Sequence, residues 1–103
     1  MAVSHFFIGQ LVEHLKFGYR GVVFGIDPEF SLTEEWYDQV ARSRPPKDKP
    51  WYQVMVDGAI NTTYVAQRHL QASEDFTQID NPYLGEYFSG FDGRKYLPRQ
   101  PVH

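Results

Sequence analysis

Four histidines, His5, His14, His69 and His103, are the first residues to test for chemistry, and their spacing is wrong for a metal centre. No two stand at i, i+4 and none has the carboxylate company of a metal site, so no metal ligand is assigned. His14 and His69 could meet across the fold, where a satisfied structural histidine is the simpler role. Gly18, Gly21 and Gly25 follow strand spacing with no lysine-serine pair behind them, which excludes a phosphate-cradling loop. A serine nucleophile motif is also missing. Glu34 and Glu35 are adjacent, so on a helix they point about 100° apart, and they suit a solvated first turn better than paired acid–base work. No catalytic residue and no cofactor are assigned; the sequence reads as a binding protein, not an enzyme.

Two surfaces compete as the binding site. The first is a basic and aromatic edge made by Lys16, Tyr19 and Arg20 in one turn, with Arg68 and His69 beside it. On a duplex these cations would contact phosphates, while Tyr19 or Gln67 could reach a groove edge and sense an adenine methyl through shape or an apolar contact. The competing structural role pairs Arg20 and Arg68 with carboxylates such as Asp27 or Glu29. The second surface is Leu32, Trp36 and Tyr37, whose rigid aromatic area suits a protein-interaction site; the competing role has Trp36 closing one end of the fold.

Net charge bears on the choice. At −3 the chain is acidic, and duplex binding depends on cations that neutralise phosphates. Residues 28–50 carry four basic and five acidic side chains, and 51–80 carry one and four. Only the segment from 81 is net basic, with Arg94, Lys95 and Arg99 against Glu86 and Asp92. Strong non-specific DNA affinity is argued against, and a local patch is what remains.

The elements that must position these residues are short. Apolar and β-branched runs predict strands over about 10–14 and 20–26, joined by a turn in which Gly18 supplies a positive φ. Gly21 and Gly25 alternate with bulky residues, as in a strand that bends sharply. Asp27-Pro28 ends that strand, because proline has no amide for the ladder. A long polar loop, 29–49, follows. Within it Ser31-Leu32-Thr33-Glu34-Glu35-Trp36 predicts a helix start, and a helix over about 33–41 would keep Leu32, Trp36, Tyr37 and Val40 on its apolar side. Trp51–Val56 alternates as a third strand, half covered by core; Asp57-Gly58 turns the chain, and 62–66 returns as a fourth. Gln67–Leu70 predicts a single turn before a last strand near 71–74. Five short strands in about 70 residues favour closure, which removes exposed edges. The expected fold is mainly β: a small SH3-like five-stranded antiparallel barrel over about 8–76, with a short helix in its long loop. Asn81-Pro82 opens a second short helix over 81–88, and an aromatic tail to 103 packs back on the barrel.

Several motifs in register carry a resemblance. Ile8-Gly9-Gln10, Val12 and His14, then Gly18-Tyr19-Arg20-Gly21-Val22-Val23 and Ile26-Asp27-Pro28-Glu29-Phe30, followed by Glu34-Glu35-Trp36, Pro50-Trp51-Tyr52-Gln53-Val54 and Tyr64-Val65-Ala66-Gln67-Arg68-His69-Leu70, resemble the YccV-like, or hemimethylated DNA-binding, domain family. Its members include the bacterial heat-shock protein HspQ. The match covers about three quarters of the chain. It implies the SH3-like barrel, a hemimethylated duplex as ligand, and, through HspQ, a link between stress response and proteolysis by the Lon protease. The tail, with Tyr87-Phe88-Ser89, Phe91, Gly93, Tyr96 and Pro98, is more similar to the form of the domain at the C-terminus of an F-box ubiquitin-ligase subunit. The partners implied are therefore hemimethylated DNA, or a protease or ubiquitin-ligase machinery served by an adaptor.

The 103 residues, 42% hydrophobic, fit one domain over 1–103 with one modest core. There is no cysteine, so an oxidising compartment is not needed. No apolar run approaches the ~18 residues of a membrane span, and the expected location is cytoplasmic. Exposed apolar loop residues leave a homo-oligomer open, without a number of subunits.

Overall fold

The computed structural model describes residues 4–99; the first three residues of the lead-in and the last four of the tail, His103 among them, lie outside the described residues. Strand β1 (Leu11–His14) and β2 (Arg20–Asp27) form a hairpin whose turn holds Gly18 at φ +74°. Helix α1 (Glu34–Val40) sits in the following loop. Strands β3 (Trp51–Val56) and β4 (Thr62–Ala66) make the second hairpin, and a 3₁₀ turn, Gln67–His69, leads to β5 (Leu70–Ala72). Helix α2 (Leu84–Tyr87) and a hairpin of β6 (Phe88–Phe91) and β7 (Tyr96–Pro98) complete the described chain.

The five strands are antiparallel in the order β4-β3-β2-β1-β5, and the sheet is open rather than closed into the expected barrel. The edge strands β4 and β5 are consecutive in the chain and separated by three residues, yet they pair with β3 and β1 and not with each other. On the β5 side the ladder is carried by strands of four and three residues, too short to bring the sheet round onto β4.

Strand β3 is covered on both faces, not half covered. Only Gln53 of its six residues is exposed. One face packs Met55 with Leu11 and Val22 against Ile79, Phe88 and Tyr96 from the tail; the other packs Tyr52 and Val54 with Val12, Val23, Val65 and Leu70. The tail therefore supplies core. Tyr96 donates its amide to Gly9 O, and its hydroxyl accepts from the Ile79 amide. Asn81 is buried and donates from Nδ2 to the carbonyls of Val56 and Asn61, which fastens the tail to the β3–β4 hairpin.

Between Val23 and Gly25 the register of β2 against β3 shifts by one residue. This bulge is the sharp bend that the glycine spacing predicts. At Gly21 a Cβ would lie 2.4 Å from Met55 O and 2.5 Å from Val54 Cγ1, so the strands approach closely only because that side chain is absent.

The long loop is fastened at several points. Thr33 caps α1 by accepting the Trp36 amide at Oγ1, 3.1 Å away, and Phe30 donates its amide to Lys47 O. Lys47 pairs with Glu34 and Arg44 with Asp38, and both cations also lie over the Tyr37 ring, 4.3 and 4.9 Å from its centre. The second helix is one turn, shorter than 81–88, because Phe88 is drawn into the core as the start of β6.

Candidate functional site

The β1–β2 turn is organised by His14. Its Nδ1 accepts the backbone amides of Lys16 and Phe17 at 3.1 and 3.0 Å, so this nitrogen is unprotonated and the imidazole is neutral. The ring stacks on Phe17 at 4.7 Å and lies parallel to His69, 5.8 Å away with 6° between planes. His69 is fixed from the other side: its Nε2 is 3.0 Å from Ser43 Oγ, and its carbonyl accepts the Leu15 amide. Burial lowers the pKa of His14, helped by His69 and Lys16; burial also lowers that of His69, helped by Arg68 and Lys16. Both imidazoles are held neutral among fixed cations.

Arg68 donates from Nη2 to Ser43 O at 2.8 Å, and Arg42 donates weakly from Nε to Gln39 O at 3.4 Å. Lys16 lies over the Phe17 ring. Among the described residues none of Lys16, Arg42 and Arg68 forms an ion pair. Tyr19 packs against His14 at 5.1 Å, and its hydroxyl bonds to Thr63 Oγ1 at 2.8 Å. The turn, the 3₁₀ segment and the residues just after α1 thus build one cationic, aromatic end.

That end opens into a cleft of about 1070 Å³, whose charged lining is Lys16 and Arg42 against the single carboxylate of Glu86. The cleft follows β4; α1 contributes Trp36 and Val40, α2 contributes Tyr87, and Tyr83 joins from just before α2.

A family model described as "Hemimethylated DNA-binding protein YccV like" matches residues 4–95. The chain belongs to the YccV-like family. The match runs past the β-sheet into the β6–β7 turn and takes in Ile79 and Phe88 of the tail, both part of the core.

Within this YccV-like domain, Lys16, Tyr19, Arg68 and His69 come together as the sequence suggests, and Arg20 does not join them. Arg20 is 15% exposed at its side chain and faces Asp57 and Asp75 at 3.4 and 3.5 Å. Its Nη1 donates to the carbonyls of Asp75 and Thr77, and its Nη2 to Thr77 Oγ1. Its partners are not the expected Asp27 or Glu29: Asp27 instead accepts from the hydroxyls of Ser31 and Tyr64. Of the aromatic loop residues, Leu32 is exposed and Trp36 half-buried, both lining the cleft. Tyr37 is 4% exposed and donates its hydroxyl to Pro45 O at 2.6 Å, so it belongs to the core. Trp36 packs on Phe30, Trp51 and Tyr64.

Sequence reasoning missed Arg42, Ser43 and Thr63. The chain just after the seven-residue α1 brings Ser43 to His69 and Arg42 to the cleft, and the register of β4 brings Thr63 to Tyr19. No local motif marks either. Among the described residues no group of three or more His, Cys, Asp or Glu gathers as a metal site, and no helix is long and apolar enough to cross a membrane.

Proposed function

We propose that the chain is a non-enzymatic binding module that takes duplex DNA at the end of the cleft lined by Lys16 and Arg42, with Arg68 on the adjoining 3₁₀ turn and hemimethylated sites as the preferred target. The observation that carries the proposal is the gathering of these three cations, free of ion pairs among the described residues, around two neutral histidines in an otherwise acidic chain. The family description supplies the ligand class. Three cations neutralise about three phosphates, so binding is modest and log Kd against log salt has a slope of roughly 3. Phe17, 70% exposed beside Lys16, offers the apolar contact that an adenine methyl would take.

Labelled hemimethylated, fully methylated and unmethylated duplexes, titrated at low and moderate salt, test this. Tighter hemimethylated binding, weakened roughly tenfold in the Lys16→Ala/Arg68→Ala double variant and kept in Arg20→Ala, is the expected result. Equal weak binding of all three duplexes that disappears at moderate salt would remove the hemimethylated preference.

A second reading is an adaptor in protein quality control, of the HspQ type at a Lon-type protease or as part of an F-box ubiquitin ligase. Its support is the apolar lining: Phe17, Leu32, Val40, Ile60, Tyr83 and Tyr87 are all exposed and all border the cleft. Contiguous exposed apolar area of this kind favours protein contact.

A further inference from the structure

The open edge of β4 lies inside that cleft. Register sets which backbone groups are free: Gln67 donates to Pro50 O and Val56 donates to Asn61 O, so Asn61, Thr63 and Val65 point their backbone groups toward β3. Thr62 and Tyr64 alternate with them and turn both amide and carbonyl outward. Among the described residues neither backbone has a hydrogen-bond partner on that side. Side chains alternate across the strand as well, and all of Asn61 to Ala66 line the cleft, which therefore wraps the edge from both faces.

We propose that the β4 edge receives an extended segment of a partner protein as an added antiparallel strand, acidic at its N-terminal end and apolar along its length. The orientation follows from charge. Lys16, Arg42 and His69 stand beyond the Ala66 end of β4, where Ala66 packs with Tyr37 and Ala41. Glu86, on the helix that follows Asn81, belongs to the Asn61 end, because Asn81 is bonded to Asn61 O. An antiparallel strand starts where β4 ends, so its first residues meet the cations. Main-chain hydrogen bonds to Thr62 and Tyr64 supply affinity, while side chains on alternate faces meet Trp36 and Val40 on one side and Phe17 and Tyr19 on the other. Tyr64 is a rigid template for this: its ring stacks on Trp51 at 5.2 Å and its hydroxyl is held by Asp27 at 2.6 Å. The inference gives the adaptor reading its ligand chemistry and does not depend on DNA binding.

The probe is a fluorescein-labelled peptide of alternating valine and threonine preceded by two aspartates, with a twin in which lysines replace the aspartates. Anisotropy titration of the full chain should show the acidic peptide binding at least tenfold tighter than its twin. On the wild-type protein, amide hydrogen exchange at Thr62 and Tyr64 should be fast when free and at least tenfold slower with the acidic peptide bound. Thr62→Pro, which removes an outward amide that β3 does not use, should abolish binding of the peptide while leaving duplex titrations unchanged. If Thr62→Pro unfolds the chain, the wild-type exchange result decides by itself. Equal binding of both peptides, or protection of other amides, overturns the proposal. So does protection of Thr62 and Tyr64 that rises with protein concentration alone, which would make a second copy the occupant. Loss of duplex binding with peptide binding intact would sink the DNA reading and leave this one standing.

Discussion

Arg20 and Arg68 look alike in the sequence, each in a short polar stretch beside an aromatic or a histidine, and the fold gives them opposite circumstances. Arg20 is enclosed by Asp57, Asp75 and Thr77 and knits the β1–β2 hairpin to the chain after β5. Arg68, on the 3₁₀ turn, has one carbonyl partner and no carboxylate among the described residues. A cation is freed or consumed by what distant parts of the chain bring to it. Asp57 and Asp75 lie 37 and 55 residues beyond Arg20, whereas among the described residues Arg68 has no ion pair.

The largest expected break of this comparison is Arg20→Ala. Losing charge-assisted hydrogen bonds at a mostly buried side chain should cost about 2–3 kcal/mol of stability. Read by thermal unfolding, that is a fall in Tm of about 10 °C or more for a domain of this size. Duplex affinity per folded molecule should stay unchanged. An Arg20→Ala protein with wild-type stability and no duplex binding would reverse the roles of the two arginines.

The complementary change is Lys16→Ala/Arg68→Ala. Stability should move by less than about 0.5 kcal/mol, as for ordinary surface positions, while duplex affinity falls roughly tenfold and the salt slope drops by about two. Filter binding across a salt series reads both.

Acidification separates the two regions further. His14 and His69 are held below their ordinary value of 6.5, so the folded state binds fewer protons than the unfolded chain. Their contribution is complete above about pH 6.5 and is lost as pH falls through the lowered folded values. Asp75 is held below its ordinary 3.8 by hydrogen bonds from Thr77, then by Arg20, so the Arg20 region keeps its contribution until pH falls below 3.8. Proton-linked chemical shifts should therefore report loosening of the β1–β2 turn first and of the Thr77 segment second. Simultaneous loss would show that the two regions are one cooperative unit.

The smallest effect is expected for Ser43→Ala, which removes the hydroxyl facing His69 Nε2 at an exposed position. Less than about 1 kcal/mol is at stake. The sharper readout is the Leu15 and His69 amide shifts, which should move, while those around Thr77 should not.

Much of the fold was legible locally. Strands 51–56 and 62–66 are apolar, aromatic and β-branched runs set off by the Asp57-Gly58 turn signal, and Thr33 with Glu34 and Glu35 marks the start of α1. The tail hairpin was missed, although Asp92-Gly93 is a turn signal. Asp92 Oδ1 accepts the amides of Arg94 and Lys95, and Gly93 has φ +101°. Aromatic residues at 83, 87 and 88 look helical in spacing, and only the core contact of Phe88 with Tyr96 decides for a strand.

By itself the sequence determined the family, the order of the five sheet strands along the chain, the glycine-dependent bend and an overall acidity that confines any DNA contact to a patch. Those properties rest on periodicity, turn chemistry and composition, which act over a few residues or over the whole chain. Tertiary structure decided which cations are free, that Tyr37 is core, that β3 is covered twice and that the sheet stays open at β4. Each of these depends on contacts between segments tens of residues apart, and the burial and charge pairing that fix them exist only once the chain has folded.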